Sequence, residues 1–177
     1  TLSYPVGVRL QWTLDLKEDL LHCAMSVPTD GNDTYVGIGF RPLSRDTSIS
    51  LASKGTGSHQ HFGMEGADIV TGSLSAGVKQ YYAEDYTGAP IMDNSLELID
   101  ASVESVDGRT VLSFTRPLIS GYLLKNYDIS ASINTGFSDI IWAVGRDGGC
   151  QYHSNTRGLR VVNWEEPEIA MVDEWKC

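Results

Sequence analysis

Six consecutive residues, His59-Gln60-His61-Phe62-Gly63-Met64, carry two imidazoles, a phenyl ring and a thioether. They follow Ser53-Lys54-Gly55-Thr56-Gly57-Ser58, a stretch with the period of neither helix nor strand, and lead into Glu65-Gly66-Ala67-Asp68. Thioether sulfur and imidazole nitrogen are donors suited to haem iron or a soft metal ion. Met64 is therefore a candidate axial ligand of a haem, with a histidine remote in sequence as its counterpart. A methionine taken alone is more often a gap-filling core residue, so the reading needs a second ligand.

The chain has four histidines, His22, His59, His61 and His153. His22 lies in the apolar run 20–27, where a hydrogen-bonded structural histidine is expected. His153 sits in a second glycine-rich stretch, residues 148–158, and is the preferred partner of Met64. Loops at one end of a β-sandwich converge, so the two loops are expected to meet there and clamp a flat cofactor. His59 and His61 would point the same way on a strand and, with a third ligand, could hold copper or zinc. The simpler alternative is a solvated pair, or hydrogen bonding to the cofactor pocket. Phe40, Phe62, Tyr152, Trp142 and Ile38 are candidates to pack on a porphyrin, with ordinary core as the alternative for each. Arg157 or Arg146 could pair with a propionate; a surface arginine is the alternative. Glu65 and Asp68 read as hydrogen-bond acceptors of a turn. No Ser/His/Asp set, phosphate loop or two-carboxylate site stands out, so no residue is expected to act as nucleophile or general base.

The segments that must position these residues read as strands. Residues 6–16 alternate Val8, Leu10, Trp12, Leu14 and Leu16 with polar residues, the two-residue period of a half-buried strand. Further strands are expected over 20–27, 34–40, 67–73, 78–86, 96–106, 109–118, 127–133, 139–145 and 158–164. In Tyr35-Val36-Gly37-Ile38-Gly39-Phe40 the apolar side chains share one face and the glycines the other, where something flat could approach the backbone; a bend or bulge is the alternative. Asp107-Gly108 is a strong hairpin signal. About ten strands with turns between them imply an all-β fold, an antiparallel sandwich or barrel. The whole of 1–177 reads as one domain, with a mobile acidic tail from about 165.

Formal net charge is −10. That disfavours nucleic acid and fits a partner with a basic docking patch, or simply solubility outside the cell. No apolar run approaches the roughly 20 residues of a membrane span, and the start at Thr1 suits a mature or excised domain. Of the three cysteines, Cys23 and Cys150 are plausible partners, and Cys177 could equally pair with Cys150. Asn32-Asp33-Thr34 is a glycosylation sequon. Cysteines and sequon together lean towards an extracellular protein, or the extracytoplasmic part of a membrane protein.

Several short motifs follow one another along nearly the whole chain: the Trp12 strand, Tyr35 to Phe40, Met64-Glu65-Gly66-Ala67-Asp68-Ile69-Val70, Asp85-Tyr86 and Asp107-Gly108 before a strand ending Phe114-Thr115-Arg116-Pro117-Leu118. Then come Ile141-Trp142-Ala143-Val144-Gly145, Tyr152-His153 and Arg157-Gly158. In this order they resemble the DOMON domains, in particular the haem-b cytochromes such as the cytochrome domain of cellobiose dehydrogenase and plant ascorbate-reducible secreted cytochromes. The resemblance implies an immunoglobulin-like sandwich with Met64 and His153 as axial ligands of a haem b. Filled axial positions and a soft thioether suit single-electron transfer at raised potential, and the lack of Cys-x-x-Cys-His implies non-covalent attachment. Expected partners are a flavoprotein dehydrogenase, a copper oxygenase, a quinone or a membrane cytochrome. Relatives without haem imply one rival expectation, a module binding a sugar or other small ligand through Tyr81, Tyr82, Tyr86 and Trp164; a second is a regulatory accessory domain of a copper monooxygenase or a membrane reductase.

Overall fold

A computed structural model describes residues 7–29, 33–41, 64, 66–83, 90–92, 98–118, 137–145, 156–163 and 168–171. The chain alternates strongly where it builds strands. In β1 (Val8–Asp15) the residues Val8, Leu10 and Trp12 are buried, and between them Arg9, Gln11 and Thr13 are exposed. In β2 (Leu20–Pro28) Leu21, Cys23, Met25 and Val27 take the buried places. The remaining strands are β3 (Tyr35–Arg41), β4 (Asp68–Ser73), β5 (Gly77–Tyr82), β6 (Ile91–Met92), β7 (Ile99–Val106), β8 (Arg109–Pro117), β9 (Phe137–Gly145), β10 (Arg157–Asn163) and β11 (Glu168–Met171).

Among the described residues all pairings are antiparallel and fall into two sheets, β11-β1-β2-β8-β7 and β10-β9-β3-β4-β5-β6. The expected all-β sandwich is the fold. Between the sheets Leu10, Leu21, Met25, Ile38, Leu112 and Ile140 are wholly buried, each worth roughly 1.5–3 kcal/mol of transfer free energy. The β7–β8 hairpin turns at Asp107 (φ 48°) and Gly108 (φ 73°), as the Asp-Gly signal requires.

Several sequence motifs turn out to be packing partners. Trp142 and Gly158 face each other across β9 and β10, and a β-carbon on Gly158 would fall 2.6 Å from indole atoms. Gly145 faces Tyr35 across β9 and β3, and there the tyrosine ring occupies the side-chain position.

Two expectations need correction, and one strand is new. Residues 168–171 are a paired strand rather than part of a mobile tail: Leu10 faces Ile169 and Val8 faces Met171, so the alternation of Glu-Ile-Ala-Met continues the sheet. Ile91–Met92 adds an edge strand the sequence does not announce. Cys23 is a free thiol inside the sandwich, so its pairing with Cys150 is not made. The strand expected over 127–133 lies outside the described residues, as do Asn32, Cys150 and Cys177.

Candidate functional site on the outer face of the six-stranded sheet

Met64 is held by a turn. Its carbonyl accepts a hydrogen bond from Ala67 N at 2.9 Å, and Gly66 within the turn has φ 72°, a conformation that resists a side chain. Gly66 N donates to Ala83 O at 2.7 Å, and Ala83 N to Ala67 O at 3.1 Å, tying the turn to the end of β5. The Met64 side chain does not enter the interior of the sandwich. It packs with Ala67, Ile69, Tyr81, Ala83 and Ile141 in a separate apolar cluster.

That cluster belongs to the outer face. Along β3 the residues Val36, Ile38 and Phe40 fill the interior, so by strand alternation Gly37 and Gly39 face outwards, as their spacing predicts. Gly39 lies between Ile69 of β4 and Ile141 of β9. A β-carbon there would meet Ile141 Cγ1 at 2.6 Å and Ile69 Cγ1 at 3.2 Å. The two isoleucines have therefore taken the space that the missing side chain leaves. One row along, Gly37 lies between Thr71 and Ala143, with Lys79 beyond Thr71 and Arg157 beyond Ala143. A third row is closed by Arg41 and Asp139, whose Nε–Oδ2 and Nη2–Oδ2 distances are 3.2 and 3.1 Å. Although it faces away from the interior, this surface is partly covered: Tyr35, Ala67, Ile69, Thr71 and Asp139 are buried, Tyr81, Ile141 and Ala143 are half-buried, and Lys79 and Arg157 are exposed.

The inner side of the same strand carries a second ion pair. Asp68, the first residue of β4, reaches Arg116 of β8 in the opposite sheet, Nη2 to Oδ2 3.4 Å, with both side chains almost wholly buried. Arg116 also donates from Nε to Pro117 O at 3.3 Å, and its guanidinium lies over the Phe40 ring, 5.3 Å from the centroid. Phe40 meets Phe114 edge to face at 6.2 Å. Phe40 thus packs the interior, on the opposite side of the sheet from Met64, and Ile38 and Trp142 are core beside it. Cys23 shares this interior, and burial pushes its thiol up to about 12, against a smaller opposing pull from Arg116. Neither ion pair was singled out from the sequence. Asp68 did leave a trace there, as a charged residue on the same strand face as Val70.

The expectation that the Met64 and His153 loops leave from one end of the sandwich is corrected. Met64 precedes β4 at the end where Asp68 faces Phe40. The connection carrying His153 leaves after Gly145, which faces Tyr35 at the other end of β3. Five residues of strand, about 17 Å, separate those two rows. The returning stem is pinned: Val144 N donates to Thr156 O at 2.8 Å and Thr156 Oγ1 to Val144 O at 2.6 Å.

His59, His61, Phe62, Arg146, Tyr152 and His153 lie outside the described residues. His22 is exposed and hydrogen-bonds through Nδ1 to Thr115 Oγ1 at 2.9 Å, a structural role. Among the described residues no group of three or more His, Cys, Asp or Glu is placed to hold a metal ion. Tyr81 faces Ile69 and Tyr82 faces Asp68, so the two tyrosines sit on opposite faces and form no common platform for a sugar.

No protein-family model matches the chain, and no curated protein does. Among solved structures it is similar to the cytochrome domain of Myriococcum thermophilum cellobiose dehydrogenase, with a TM-score of 0.55 at 13% identity, over 87% of this chain and 73% of that one. At that identity the likeness is one of architecture: the chain has the two-sheet sandwich fold of a cytochrome domain.

Proposed function

We propose that the chain is a DOMON-type b-type cytochrome domain that carries single electrons, with Met64 and His153 as the axial ligands of a non-covalent haem. The observation that carries this reading is the placement of Met64. A thioether packs on the partly covered outer face of a sheet, against Ala67, Ile69 and Ala83, in a cluster that Ile141 and Tyr81 extend. The chemistry of that donor and its dry, apolar surroundings fit a porphyrin. Bound there, a haem supplies reversible exchange of one electron. Ile69, Ile141 and Tyr81 exclude water, and Met64 offers the soft ligand. Arg157, exposed on the same outward face, would meet a carboxylate at the rim.

Chain length allows His153 to reach this face although its loop starts at the far end. His153 stands three residues before Thr156, and three extended residues span about 10 Å. Three residues of β9, again about 10 Å, separate Val144 from Ile141. A loop that folds back over the glycine row would bring the imidazole to the row of Ile141 and Ile69, beside which Met64 packs. Phe62 and Tyr152 flank the two ligands in sequence and would contribute aromatic walls. We further propose an extracellular or extracytoplasmic setting, with catalysis left to a partner: a flavoprotein dehydrogenase, copper oxygenase, quinone or membrane cytochrome. The net charge of −10 favours a basic docking patch on that partner.

Titration of the chain with haem tests the proposal. The expected outcome is stoichiometric uptake and a low-spin six-coordinate spectrum in both oxidation states. His153→Ala should abolish the low-spin spectrum, and Met64→His should keep six-coordination while lowering the potential. A chain that takes up no haem, or a potential unmoved by Met64→His, refutes the ligand assignment.

A further inference from the structure

Strand β4 poses a question of register that hydrophobicity does not answer. Its inward residues are Asp68, Val70 and Gly72; its outward residues, counted from the turn, are Ala67, Ile69 and Thr71. A slip of one residue exchanges the two sets. The outward set is the more apolar, so transfer free energy alone would put Ala67 and Ile69 inside and turn Asp68 out. The observed arrangement is the reverse.

Two features of the inner face oppose the slip. Gly72 lies where a β-carbon would come within 2.9 Å of Leu112 Cδ1 and 3.2 Å of Val103 Cβ, which leaves no room for Thr71 or Ser73. Asp68 meets Arg116 across the sandwich, with side-chain exposures of 0% and 1%. A buried ion pair adds little net stability over apolar residues of the same volume, but removing one partner is severe. Such a pair is better suited to choosing between two near-equal pairings than to strengthening either.

We infer that the Asp68–Arg116 pair is the register lock of β4 and, through it, the positioning device that turns Met64 to the outer face. Asp68 follows directly on the hydrogen-bonded turn from Met64 to Ala67, so fixing the face of Asp68 fixes the face on which the turn, Ile69 and the thioether emerge. The functional consequence rests on the ligand role proposed for Met64; the lock itself does not. A ligand must be held within about 0.5 Å of its working position, and a strand with two registers cannot do that.

The test is the double variant Asp68→Val/Arg116→Met, which replaces both charged side chains by apolar ones, in a chain carrying 13C-methyl methionine. It is expected to fold with wild-type far-ultraviolet dichroism and cooperative unfolding. The Met64 methyl should then lose its NOE contacts with the Ala67, Ile69 and Ala83 cluster or split into more than one set, and haem affinity should fall about 10- to 100-fold. A single methyl resonance with wild-type contacts overturns the inference. Should the double variant not fold, Asp68→Asn keeps the shape and deletes the charge, and the same methyl contacts decide: unchanged they overturn the lock, lost or multiplied they support it. A wild-type chain that shows these contacts yet takes up no haem overturns the proposed function and leaves the lock standing. Normal Met64 ligation in the double variant does the opposite.

Discussion

Gly37 and Gly39 stand two residues apart on one face of one strand, and replacing each by alanine should have opposite consequences. At Gly39 the new β-carbon would lie 2.6 and 2.9 Å from Ile141 Cγ1 and Cδ1, and 3.2 Å from Ile69 Cγ1. At Gly37 it would meet only ordinary contacts: Thr71 Cγ2 at 3.4 Å, Tyr35 Cε2 at 3.7 Å and Ala143 O at 3.8 Å. Alanine in place of glycine recovers roughly 0.5–1 kcal/mol of backbone entropy at either site. At Gly37 nothing opposes that gain, so Gly37→Ala should be neutral to slightly stabilising. At Gly39 the isoleucines must leave their places, and overpacking of this kind costs about 1–3 kcal/mol. The net expectation for Gly39→Ala is a loss of about 1–2 kcal/mol, a drop of roughly 2–8 °C in Tm for a chain of this size. Because Ile69 and Ile141 belong to the cluster on which Met64 packs, affinity for the proposed haem should fall with it. Urea unfolding of the two variants side by side, at unchanged m, measures the difference. Equal shifts for both, or a Gly39→Ala chain as stable as wild type, would show that the isoleucines do not occupy the glycine's place.

Other outcomes follow from the interior. Gly158→Ala would drive a methyl to 2.6 Å from the buried Trp142 indole, so it should cost about 1–3 kcal/mol and shift tryptophan fluorescence, whereas an unshifted spectrum at wild-type stability would count against that packing. The Cys23 thiol, pushed from its ordinary 9.0 to about 12 by burial, should resist thiol reagents at pH 8 until the chain is unfolded. Its folded pKa is raised, so its contribution to stability is full below about pH 9 and is lost as pH climbs towards 12. Cys23→Ala should flatten that alkaline fall, and an identical pH profile would argue against it. Gly108, at φ 73° in the β7–β8 turn, should lose about 1 kcal/mol or more on replacement by alanine, read as a lower urea midpoint.

Much of the sandwich could be read directly because it is a local property. The alternation Val8, Leu10, Trp12 is the period of a strand buried on one side, and the strand is there. Asp107-Gly108 predicts a turn because those two residues tolerate positive φ, and the turn has it. Gly37 and Gly39 fall on the face opposite Val36 and Ile38 for the same reason of period two. Where local pattern and tertiary pairing part, the sequence misleads. Glu168–Met171 is acidic at its start, yet it pairs because β1 leaves an edge for it.

What only the tertiary structure decided is which residues meet. Arg41 and Asp139 are 98 residues apart, and Asp68 and Arg116 are 48 apart; neither separation carries a signal, because the pairs exist only once β3 lies beside β9 and the sheets are stacked. The same holds for the two loops. Their residue types suggest two ligands of one iron, but the end of the sheet from which each loop leaves depends on strand direction, and that follows from the order β10-β9-β3-β4. Side-chain chemistry along the chain thus determined the candidate ligands and the strand faces. The distance between them, and the outer face on which Met64 rests, came from the pairing of strands remote in sequence, since a strand's own pattern says which side is apolar but not what lies across from it.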